Sequence, residues 1–322
     1  MQKISCLAIF IVFLTSISTA YSQDANVKWI NEHAYALAAD TASTSNDLQF
    51  LSTELKNNVV FGLGEASHGT KEFYNQKRRI IEYLVVNLEY RQIGFECIQS
   101  YIEPINEYIT NGRGNLKLLM KDMVLYNTEE IYNLFQLLKQ YNEGQPTTKK
   151  VRVFGFDREE YAGDPFNRDK YMADNVIAEY AAHKGKTIVW AHNIHLAKDT
   201  TMAQFKGLGY HLKENFGQNL YVLGFDTYKG SVTVITPGGL TSHSFEAEQG
   251  SFSAMFAKAT YANYYLSFNT RPIPFANAKN NIMNIYANWT LVRSLPVKLG
   301  IDFDAILFIK NTTASKIILS NN

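Results

Sequence analysis

Five short apolar runs punctuate the chain: NVVFGLG (58–64), RQIGFE (91–96), VRVFGFD (151–157), KTIVWAH (186–192) and NLYVLGFD (219–226). Each is rich in Val, Ile and aromatic residues and has the length of a buried strand. Between them lie stretches with helical periodicity, among them TKEFYNQKRRIIEYLVVNL (70–88) and RDKYMADNVIAEYAAHK (168–184). Strands alternating with amphipathic helices predict an α/β fold, a central mostly parallel or mixed sheet flanked by helices. Residues 98–150 interrupt the alternation with further helical patterns, including TEEIYNLFQLLKQYNE (128–143), and read as a helical insertion beside the sheet.

The amino-terminal stretch follows a different pattern. MQKISCLAIFIVFLTSISTAYSQ has a cationic start, an apolar run from Ile4 to Ile17, and small residues at Ser18 and Ala20. The apolar run is shorter than the ~20 residues that span a bilayer. It has the layout of a secretory signal. The expectation is therefore removal of residues 1–20 and export of 21–322 as one α/β domain, periplasmic or secreted, with no stable membrane insertion. Of the two cysteines, Cys6 leaves with the signal and only Cys97 remains, so no internal disulfide is expected.

Composition narrows the function classes further. A formal net charge of +1, with no long run of one sign, leaves no electrostatic footprint for nucleic acid. Neither a dinucleotide fingerprint nor a Walker lysine follows the first strand.

Candidate chemistry gathers at the strand ends. The five runs end in, or lead into, Glu65 and His68, Glu96, Asp157, His192 with His195, and Asp226. In open α/β sheets the carboxyl ends of the strands face the ligand crevice, so acids and imidazoles are aimed at one place. Asp157 and Asp226 also suit helix caps or scaffolding. Glu65-x-x-His68 and His192-x-x-His195 each have a spacing that lets both side chains face one cavity. A carboxylate beside an imidazole fixes its tautomer and raises its basicity, as a general base acting on water requires. Further imidazoles can stabilise an oxyanion or protonate a leaving group. His33, His183, His211 and His243 read as structural. Ser67 lacks the Gly-x-Ser-x-Gly elbow of a serine hydrolase.

The motifs GEASHGTKEF, IGFEC, FGFD, WAHNIHLAK, YVLGFD and DFDAILFI, in this order from about Val59 to Ile309, resemble those of the erythromycin esterase family. More distantly, GExxH is similar to the core of Tiki-type proteases and ChaN-like proteins. The resemblance implies an exported hydrolase of carboxylic esters or lactones, acting on a small molecule without a cofactor. His68 is then the base that activates water, Glu65 its polarising partner, and Glu96, His192 and His195 further catalytic groups. The family's oxyanion-steadying arginine falls at Lys77, which keeps the charge but not the planar fork of donors. Arg78 beside it and Asp157 are expected to bind substrate. The macrolide-cleaving members carry more helical structure over the cleft, which argues against a bulky macrolide here. Two other readings stay open. One is a metal-dependent hydrolase or peptidase in which Glu65, His68, His192 and His195 hold zinc or another divalent ion. The other is a non-catalytic binding protein of the cell envelope.

Overall fold

The computed structural model describes residues 25–269, 273–275 and 278–318, so the expected signal segment lies outside the described residues. The strands are β1 (Tyr35–Ala36), β2 (Val60–Leu63), β3 (Tyr90–Ile98), β4 (Arg152–Asp157), β5 (Lys186–Trp190), β6 (Leu220–Thr236), β7 (Gly239–Glu246), β8 (Asn263–Ser267), β9 (Lys279–Met283), β10 (Ser294–Lys298) and β11 (Ala305–Thr312). Nine of them form one mixed sheet in the order β1-β8-β11-β6-β2-β5-β3-β4, with β7 paired to β6. From β11 to β4 every pairing is parallel; β1, β7 and β8 join antiparallel. β9 and β10 make a separate antiparallel pair.

A mostly parallel sheet needs helices on both faces, and alternation along each strand supplies two apolar sides. Phe61, Leu63, Ile93, Phe95, Ile188 and Trp190 face one core, closed by the helices Lys71–Asn87, Gln99–Asn111 and Glu129–Asn142. Val60, Val189, Val222 and Phe308 face the other, covered by Arg168–His183 and Leu208–Phe216. Within Lys71–Asn87 the buried positions Phe73, Tyr74, Ile80, Ile81 and Leu84 repeat at helical spacing and form its inward stripe. The helices within 98–150 occupy the crossover from β3 to its parallel neighbour β4.

Two local features position the site. The β3–β4 register shifts between Phe95 and Ile98, so Glu96 and Cys97 sit in a bulge that re-aims them at the strand end. The residues after β11 cross over the loop that follows β2: Ser315 N–H donates to Gly69 O at 2.9 Å, and Thr70 bridges Ala314. They then run beside the start of Glu129–Asn142, where Ile318 N–H donates to Asn127 O and Glu129 N–H to Lys316 O, each at 2.9 Å.

Candidate active site

Glu65 follows β2 two residues beyond Leu63, on the side of the sheet that Trp190 also faces. Its carboxylate is wholly buried and accepts from His68 Nδ1–H at 2.7 Å, Lys77 Nζ at 2.7 Å, Trp190 Nε1–H at 2.9 Å and the Tyr126 hydroxyl at 3.4 Å. Burial alone would raise its pKa, but the charges of Lys77 and His68 outweigh burial and hold Glu65 below the ordinary value. With Nδ1–H committed to Glu65, His68 is left with Nε2 on the cleft side, 4.0 Å from Glu96 Oε2.

Glu96 is the second carboxylate of the cluster. It accepts from His192 N–H at 2.9 Å on Oε2, and from His195 Nε2 at 3.2 Å and Arg168 at 3.5 Å on Oε1. Burial works against the charge; His195, His68 and Arg168 prevail and keep the carboxyl well below its usual range. The two HNxH imidazoles then part company. His195 lies between two carboxylates, with Nδ1 on Asp169 Oδ2 at 2.8 Å and Nε2 on Glu96, and despite its burial the pair pushes its pKa up to about 10. It is an imidazolium. His192 donates from Nε2 to Ile285 O at 3.1 Å and caps its own turn through Nδ1, at 3.5 Å from Ile194 N–H. Burial, with His68 next to it, brings its pKa down to about 3, so it stays neutral.

The motif's glycines follow from these contacts. The Asn193 amide reaches across to β6, donating to Phe225 O at 2.6 Å and accepting from Phe225 N–H at 3.2 Å, while Asn193 N–H donates to Glu65 O at 2.8 Å. A Cβ on Gly64 would sit 2.3 Å from that amide oxygen, and one on Gly69 would sit 1.8 Å from Thr233 O. Neither position has room for a side chain.

Several expected roles shift. Lys77 is fully buried, donates to Leu63 O as well as Glu65, and lies 4.1 Å from the Trp190 ring centre, so its ammonium is engaged with Glu65 and is not part of the cleft lining where the resemblance implies an oxyanion role. Arg78 is on the outer side of its helix, 4.0 Å from Glu82, and does not join the cluster. Asp157 lines the cleft, its carboxylate 2.6 Å from Arg168. The Ser67 hydroxyl is buried and hydrogen-bonded to that of Thr70. Asp226 sits within the long β6, bonded to Ser253 and Met283 N–H, apart from the cluster. Cys97 faces the cleft, but burial pushes its thiol up to about 12, so it is no nucleophile near neutrality. Asp169, Arg168, Tyr126 and Trp190 were not singled out in the sequence. Trp190 and Asn193 lie inside WAHNIH; Asp169 and Arg168 open a helix with no motif of their own.

The cleft itself is open to solvent and has a volume of about 210 Å³, its lining including the polar His68, Glu96 and Asp157 and the apolar Ile98, Val124 and Ile235. Among the described residues, no group of three or more His, Cys, Asp or Glu is arranged to hold a metal ion. The cause is local: His192 spends both ring nitrogens on backbone, His195 spends both on carboxylates, and Glu65 is saturated by buried donors.

The erythromycin esterase family model matches residues 85–167 and 158–312. The chain belongs to the erythromycin esterase family. Within the known proteins, YbfO of Bacillus subtilis, a hydrolase by name, is 34% identical over 157 residues, 48% of this chain. The erythromycin esterase type II of Escherichia coli is 26% identical over 174 residues, also 48% of this chain. The matched segments span 33% and 39% of those two relatives' own length. A solved structure titled as a succinoglycan biosynthesis protein shares the fold at a TM-score of 0.82, 23% identity, covering 92% of this chain and 99% of its own. An erythromycin esterase mutant in its open conformation superposes at 0.66, 15% identity, covering 86% and 96%. The family's mixed α/β sheet is thus present, and among the described residues no helix is long and apolar enough to cross a membrane.

The neutral state of His192 has a measurable signature. Its folded pKa is depressed, so the unfolded chain takes up a proton below about 6.5 that the folded chain refuses until about 3. The wild type carries this penalty progressively as pH falls through that window. His192→Asn removes it, so the variant's melting temperature relative to wild type should rise on acidification from pH 7 to 4. A difference independent of pH, read by thermal unfolding, would exclude a neutral buried His192.

Proposed function

We propose that this protein is a metal-independent hydrolase of carboxylic esters or lactones. The observation that carries the reading is the Glu65–His68 pair: an ionised, buried carboxylate holds Nδ1–H and leaves Nε2 facing the cleft, opposite Glu96. A water placed between His68 Nε2 and Glu96 Oε2 is within hydrogen-bond reach of both. His68 takes its proton as the oxygen attacks the carbonyl carbon, and returns that proton to the departing alkoxide as the C–O bond breaks. Glu96, kept ionised by His195 and Arg168, orients the water. Lys77 and Trp190 hold Glu65 so that the imidazole keeps one tautomer.

The relatives' names, hydrolase and erythromycin esterase, support this reaction class. The cleft bears on substrate size: about 210 Å³ is below the ~300–1,000 Å³ of sites that enclose drug-sized ligands, which favours a small ester or lactone over a macrolide. The test is hydrolysis of a panel of small esters and lactones before and after dialysis against a strong chelator. Most activity should survive, and added zinc or manganese should not raise it several-fold. Activity lost on chelation and restored by stoichiometric metal would reject the metal-independent mechanism.

A further inference from the structure

The segment Asp122–Tyr126 lines the cleft together with His68. Three of its residues are anchored: Met123, Leu125 and Tyr126 are buried, and the Tyr126 hydroxyl reaches Glu65. Val124 between them is not. It is 47% exposed, it lines the cleft, and its backbone has φ of +50°. A β-branched side chain in the left-handed region is a true outlier, because its Cβ substituents crowd the neighbouring carbonyls. The other described non-glycine residues with positive φ, Glu89, Lys184 and Gln204, are unbranched and exposed, and none lines this cleft. Glycine or asparagine would meet the backbone requirement at lower cost. Nor does core burial repay the strain at Val124. Residues held this way collect at ligand contacts, where the side chain's position is what the strain secures.

We infer that Val124 is a specificity-determining residue: held in the left-handed region among the residues that line the cleft, with Ile235 and Ala287 in the same lining, it limits the bulk of the substrate's apolar group. The inference rests on the proposed ester hydrolysis for the identity of the ligand, but not on turnover. A flat apolar wall discriminates by tens of fold for each methylene or two it excludes. Removing the wall should relax that discrimination without loosening the turn, since Met123, Leu125 and Tyr126 still hold it.

The test separates binding from chemistry. Val124→Gly is placed in the wild type and in a His68→Ala background, where ester cleavage is slowed by at least ~10²-fold. Binding of acetate, butyrate and hexanoate esters of one alcohol is measured by calorimetry in the latter. Thermal unfolding is recorded for both. Val124→Gly should leave the melting temperature unchanged or raised, and should improve hexanoate over acetate affinity by at least ~10-fold. The same ratio should appear in kcat/KM of the active pair. If the binding ratio shifts while wild type cleaves no ester, the specificity role stands and the hydrolase reading fails. An unaltered ratio, esters that bind neither variant, or a melting temperature lowered by several degrees would each overturn the inference, the last by making Val124 a structural residue of the turn.

Discussion

His68→Ala is expected to lower kcat by at least ~10²-fold on any ester the protein cleaves, with KM changed far less, because general-base catalysis typically contributes 10²–10⁴-fold. The substitution removes the Nε2 lone pair that faces the cleft. It leaves Glu65 with Lys77, Trp190 and Tyr126 as partners, so the buried carboxylate is still satisfied and the fold should persist. Circular dichroism and thermal unfolding establish the second half, steady-state kinetics the first. A folded variant with wild-type turnover would remove His68 from the reaction and leave Glu96 as the base facing the cleft.

Glu65→Gln should be costly in a different currency. The amide keeps the shape, but Lys77 is fully buried and draws its compensation from that carboxylate. Removing one partner of a buried pair leaves an uncompensated charge, at a cost of about 3–5 kcal/mol. For a chain of this size that corresponds to a fall in melting temperature of about 5–8 °C. Turnover should fall with it, because His68 loses the charge that favours its basic tautomer. Adding Lys77→Met to Glu65→Gln removes the stranded ammonium and should recover much of the stability but none of the turnover. The double-mutant cycle therefore separates the two functions of Glu65. A single variant as stable as wild type would show that Lys77 does not depend on the Glu65 carboxylate for its compensation.

The strands and the motif were legible because their signals are local. VVFGL and KTIVW are buried on both faces and read as continuous apolar runs, and their carboxyl ends could be assigned to one crevice by topology alone. The roles of the two HNxH histidines were not legible, since spacing makes His192 and His195 equivalent. What distinguishes them is the partner each meets: Ile285 O for one, Asp169 for the other. Asp169 sits on a helix covering the opposite face of the sheet and Ile285 follows β9, and no pattern in either segment announces the meeting. Lys77 illustrates the same limit. Its helical position is clear from periodicity, yet whether a cation on that stripe points to solvent, substrate or a buried acid depends on what the facing strand presents. The glycines flanking EASH have a steric reason, set by Asn193 and Thr233 from distant segments, which the motif itself does not announce.

The crossing of residues 313–318 over the GExxHG loop bears on the order of folding. Gly69 and Ser315 stand about three quarters of the chain apart, and the residues after β11 also tie down the start of Glu129–Asn142, beside the turn that carries Tyr126. Contacts of such sequence separation pay the greatest loop-closure entropy and form late. Strands and helices can therefore assemble during synthesis while the loop bearing Glu65 and His68 is not yet fastened. The fastening of that loop waits on residues 313–318, which are translated after every described strand of the sheet.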